Sequence, residues 1–152
     1  MPPKDDVTLF DKQVRAQVYA HFIQTGQAPA MDAIAQALAR PVADVQAAYQ
    51  RLAAGRALVL QANGEVLMAE PFSAIPTAFT VQAGGHRWWG NCIWDALGIA
   101  AMLKADAHIA TSCGCYGYAM ALEVQAGTLQ AAPGVVHYAV PPRDWWNDVV
   151  FA

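Results

Sequence analysis

The chain has 152 residues, 56% of them hydrophobic and 14% charged, enough for one ordinary domain or two small modules sharing a core and too apolar for large-scale disorder. Its formal net charge of −3 disfavours nucleic acid and anionic membrane as partners. No apolar run approaches a spanning length, the Met1-Pro2-Pro3-Lys4-Asp5-Asp6 start is unlike a signal peptide, and three cysteines suit free thiols better than a disulfide framework; a soluble, cytoplasmic protein is expected.

The first expected element is a helix over residues 7–24, with Val14, Val18 and Phe22 on one stripe and Gly26 and Pro29 ending it. A short helix over residues 31–39 follows, with Asp32 near its start and Ile34 and Leu38 on one face. Pro41 opens a third helix that runs through Val45, Tyr49 and Leu52 to Gly55. Asn63-Gly64 then separates two apolar runs, 57–60 and 65–68, a strong hairpin signal. Three helices and a hairpin give the order of a winged helix-turn-helix, expected over residues 1–70. Pro71 and Pro76 punctuate a linker, and residues 71–152 form a second region.

In that second region, residues 78–83 and 86–89 read as strands joined at Gly84-Gly85, followed by a helix from about Cys92 to Leu103. Residues 108–111, 118–124 and 135–140 read as further short strands. The fold class is therefore α+β, with a winged-helix-like module ahead of a mixed, mainly antiparallel core.

The third helix of the module offers Asp44, Gln46, Gln50 and Arg51, flanked by Arg40 and Arg56. Residues 1–70 hold six basic and seven acidic side chains, a thin surface for gripping phosphates, so a structural or dimerising role is favoured over DNA binding.

Chemistry concentrates further on. In Gly90-Asn91-Cys92-Ile93-Trp94-Asp95, a thiol and a carboxyl stand three residues apart, which on a helix places them on one face. A cysteine in an apolar helix is by default a small core residue. A carboxylate in the same apolar setting is costly to bury without purpose, and burial would raise its pKa and leave it a proton donor. Thiolate is the metal-binding form of cysteine and prefers soft ions. A second thiol cluster, Cys113-Gly114-Cys115, is too tightly spaced for a zinc knuckle, yet its thiolates could chelate a soft ion; the alternative is a glycine-rich turn with one buried and one exposed thiol. His86 and His108 read as surface or core residues, and Trp88, Trp89, Trp145 and Trp146 as core area or a pocket wall.

The segments 72–77 and 81–89, followed by Cys92 and Asp95, and then Ser112-Cys113 and Ala121-Leu122-Glu123-Val124, resemble the organomercurial (alkylmercury) lyase family. The resemblance implies cleavage of carbon–mercury bonds by protonolysis to a hydrocarbon and Hg(II), with Cys92 as first mercury ligand and Asp95 as proton donor. It implies no required cofactor, Hg(II) as bound product, small thiols for its removal, an organomercurial as substrate and a mercuric reductase as a downstream acceptor. The family's second catalytic cysteine follows the aromatic segment near residue 146, and no cysteine follows Cys115 here. Truncation, substitution by Cys113 or Cys115, or loss of cleavage would each account for that. Cys113 matches a family cysteine regarded as structural, whereas Cys115 is additional, which makes Cys115 the more interesting replacement ligand. Two other readings follow from the same residues: a divergent, non-catalytic soft-metal binder, and a metal-responsive winged-helix regulator.

Overall fold

A computed structural model describes residues 8–130 and 134–149. Val7 of the first expected helix and residues 150–152 lie outside the described residues. The chain divides into two compact units between Pro76 and Thr77.

The first unit holds helices α1 (Leu9–Thr25), α2 (Met31–Ala37) and α3 (Val42–Ala54) and strands β1 (Val59–Leu60), β2 (Val66–Ala69) and β3 (Phe72–Ser73). Thr8 caps α1 by accepting the Asp11 N–H, and the Asp11 carboxylate accepts the Thr8 N–H in return. Gly26 closes α1 in the left-handed region, donating its N–H to the Phe22 carbonyl at 2.8 Å. Val14, Val18 and Phe22 of α1 are fully buried, as are Val45, Ala48 and Tyr49 of α3, so the periodic apolar positions form the core as their spacing predicts. The Asp11 side chain is only 1% exposed and accepts three charged hydrogen bonds from Arg51, the shortest at 2.7 Å. That guanidinium, helped by the Thr8 bonds and working against burial, holds the Asp11 carboxyl below its ordinary pKa.

The hairpin forms at Asn63-Gly64, where Gly64 takes φ 87°, and β1 pairs antiparallel with β2. The sequence gives no strand at residues 72–73, because the prolines on either side read as a linker. Phe72 and Ser73 nevertheless pair with Ala69 and Met68 and add a third strand. Burial explains it: Phe72 is 1% exposed and stacks on Phe22 with ring centroids 5.1 Å apart.

In the second unit, strands run in the order β5 (His86–Gly90), β4 (Phe79–Ala83), β6 (Ala107–Ser112), β7 (Ala119–Gln125) and β8 (Thr128–Leu129), all antiparallel. Helix α4 (Ile93–Leu103) packs on β4, β5 and β6, burying Ala96, Ile99 and Ala100 in a core that includes Val81, Trp88 and Ile109. The expected strand over residues 135–140 does not form. Instead β8, a two-residue strand too short to register as a sequence pattern, pairs with the end of β7. Val135 and Val136 are left exposed, and a 3-10 helix (Pro142–Asn147) follows. No helix among the described residues is long and apolar enough to cross a membrane.

Candidate active site

Strand β5 ends at Gly90, and two residues later α4 begins. A Cβ at Gly90 would lie 2.7 Å from the Ala96 nitrogen and 3.1 Å from the Asp95 Cβ, so only glycine lets the strand end approach the first turn of the helix this closely. Thr77 Oγ1 donates to the Gly90 carbonyl and secures the strand end.

Cys92 is the N-cap of α4, with extended backbone at φ −142° and ψ −178°, so the helix starts one residue later than the apolar spacing suggests. The Cys92–Asp95 pair is thus an N-cap and N3 pair rather than two residues on one helical face. The Asp95 carboxylate turns back past the N-cap to accept the Asn91 N–H at 3.2 Å, at a helix start where negative charge is favoured. That contact fixes the carboxylate on the strand-to-helix corner, beside the thiol.

Both residues are half-buried, whereas Trp94 between them is 65% exposed and offers no wall to the carboxylate. Burial pushes the Cys92 thiol above the ordinary cysteine pKa, and the Asp95 charge adds to that rise. The backbone N–H groups of Asp95 and Trp94 at the open helix end act in the opposite direction without prevailing. Cys92 therefore rests as a protonated thiol with a carboxylate beside it.

Sequence reasoning missed two residues here. Asn91 donates its side-chain amide to the Val149 carbonyl at 2.8 Å, tying the last described turn to the residue before Cys92. Tyr138 has a buried hydroxyl with no hydrogen-bond partner among the described residues. Burial pushes its phenol pKa up, and the electrostatic influence of Cys92 and Asp95 acts the same way, so the hydroxyl lies close enough to feel both. Its ring packs 5.2 Å from that of Trp145, whose indole N–H donates to the Val140 carbonyl at 2.8 Å. The signal was masked because residues 135–140 read as an ordinary strand; an aromatic polar residue in a segment that pairs with nothing is visible only in three dimensions.

Cys113 and Cys115 occupy the β6–β7 turn, Cys113 half-buried and Cys115 exposed. Among the described residues no three His, Cys, Asp or Glu side chains converge to hold a metal, so neither thiol joins Cys92 and Asp95 in such a group. His108 pairs with Glu123 directly across β6 and β7, and His86 packs against Trp88. Trp88 is core, as one of its two sequence readings has it.

Residues 72–152, more than half of the chain, match the family model MerB, alkylmercury lyase. Among solved structures, the mercury-bound form of MerB2 has the same fold, with a TM-score of 0.64 at 24% identity over 80% of this chain. The chain spans 60% of the length of that protein. No curated protein sequence matches it. With a family match that covers the β5–α4 corner and every strand of the second unit, the chain belongs to the alkylmercury lyase family.

Proposed function

We propose that this protein breaks carbon–mercury bonds by protonolysis, with Cys92 as mercury ligand and Asp95 as proton carrier. The observation that carries this reading is the Asp95 carboxylate anchored at the α4 start beside a thiol that rests protonated. An organomercurial R–Hg–X exchanges X⁻ for the Cys92 sulfur, and the thiol proton passes to the Asp95 carboxylate. The thiolate donates electron density to mercury and weakens the Hg–C bond. Asp95 then delivers its proton to the carbon, which keeps the Hg–C electron pair and leaves as R–H. Mercury remains as Cys92-bound Hg(II), with the regenerated carboxylate as its nearby anion. Two small thiols remove it as a bis-thiolate and return one proton to Cys92 and one to solvent. No cofactor takes part in this cycle. A mercuric reductase would consume the product, and the cytoplasm supplies the thiols.

Recognition of DNA by α3 has less support. Arg51 is engaged by Asp11 and Arg40 by Asp44 at 2.8 Å, so both arginines are held in pairs within the first unit.

A single-turnover assay with an arylmercury compound and excess small thiol, reading released arene and protein-bound mercury together, tests the proposal. Arene release is expected from the native chain and none from Cys92→Ser. Equal release from both would remove Cys92 from the chemistry, and mercury bound without arene would mean capture without cleavage.

A further inference from the structure

The turn between β6 and β7 holds chemistry that the Cys92 centre does not use. The Cys113 N–H donates to the Tyr118 carbonyl at 2.9 Å, and the Gly117 N–H donates to the Cys113 carbonyl at 2.8 Å, closing a tight loop around Cys113-Gly114-Cys115-Tyr116-Gly117. Gly117 takes φ 71°, a conformation that permits the closure with little strain only for glycine. The loop carries two free thiols, one residue apart, on one small turn. Tyr116 and Tyr118, 85% and 58% exposed, stack beside them with ring centroids 6.4 Å apart and planes within 10°. Large aromatic surface held open to solvent and ordered by stacking is a ready wall for an apolar group.

We infer that the Cys113–Cys115 turn is a second soft-electrophile site, independent of Cys92, that captures a trivalent arsenical between its two sulfurs with the organic group against Tyr116 and Tyr118. Two sulfurs on one tight turn form a bent S–As–S bridge more readily than a linear one, which favours pyramidal As(III) over a two-coordinate ion. The N–H groups of Tyr116 and Cys115 lower the Cys113 pKa against a smaller opposing effect of burial, with further help from the Tyr118 hydroxyl and the Cys115 thiol, which favours attack by the Cys113 sulfur. Capture of an arylarsine oxide balances without an oxidant. Two As–S bonds form, the As–O bonds break, and both thiol protons leave on the oxide oxygen as one water.

Reduced protein treated with one equivalent of phenylarsine oxide tests this by intact mass and thiol titration. The native chain and Cys92→Ser should each gain one phenylarsenic group and lose two titratable thiols. Cys113→Ser and Cys115→Ser should each lose at least about tenfold in retention against a competing small monothiol, as expected when a chelate becomes a single bond. Tyr118→Phe should retain the adduct and form it more slowly. Loss of the adduct in Cys92→Ser, or undiminished retention in Cys115→Ser, would overturn the inference. Because no carbon–mercury bond is involved, either result leaves the lyase proposal standing or falling on its own assay.

Discussion

The two units hold their principal carboxylates differently. In the first, Asp11 is almost fully buried, yet its carboxylate is answered by Arg51, the Thr8 N–H and a place in the first turn of α1. In the second, the α4 start carries a half-buried thiol raised in pKa, a half-buried carboxylate that accepts the Asn91 N–H, and nearby a Tyr138 hydroxyl without a partner among the described residues. A satisfied polar group stabilises a fold and leaves nothing over for a ligand. Groups whose ionisation is perturbed at a half-buried corner stay within reach of a ligand, which is where chemistry needs them.

The contrast breaks most sharply at Asp95. Asp95→Asn keeps an oxygen that can accept the Asn91 N–H but carries no exchangeable acid, so arene release should fall by about 10²–10⁴-fold while melting temperature changes little. Unchanged release in that variant would reduce Asp95 to a helix cap. Gly90→Ala attacks the corner sterically, since the new methyl must displace the first turn of α4; denaturant titration should show a loss of up to about 3 kcal/mol, with turnover falling alongside.

Asp11→Ala tests the other side of the comparison. It removes both the reciprocal cap and the Arg51 pair, and should cost about 2 kcal/mol by denaturant titration without lowering arene release per folded molecule. Because the folded Asp11 pKa is depressed, its contribution is fully present above the ordinary carboxyl value of 3.8 and is lost as pH falls through the lower folded value. The stability gap between native and Asp11→Ala chains should therefore close only in strong acid. The smallest effect belongs to Tyr138→Phe. Deleting a buried hydroxyl that has no described partner should stabilise the fold by about 1 kcal/mol, read as a higher melting temperature. If that hydroxyl serves a ligand at Cys92 and Asp95, turnover should drop in the same variant; a gain in stability with full turnover would make it a packing residue.

Much was legible along the chain where one local pattern decides the outcome. The α1 stripe of Val14, Val18 and Phe22, the Asn63-Gly64 turn and the β4–β5 hairpin each appear near where their periodicity puts them, because helix and hairpin formation depend on neighbours a few residues away. Residues 135–140 failed for the complementary reason. Their apolar run is a local pattern, whereas a strand also needs a paired neighbour, and no described strand pairs with them.

Cys92 and Asp95 stood out in sequence because a thiol stands three residues before a carboxyl in an apolar stretch, a spacing that keeps them within one helical turn. Whether they share a helix face or meet at an N-cap was decided by the Gly90 approach and the Asn91 bond, which join a strand end to a helix start. Composition and spacing determined that this chain folds as α+β, carries three free thiols and sets one of them beside an acid. Tertiary structure alone decided that the Cys92 pKa is raised, that Tyr138 lies close enough to feel it, and that half-buried Cys113 and exposed Cys115 sit in a turn of their own, because burial and charge act through space across residues that sequence keeps far apart.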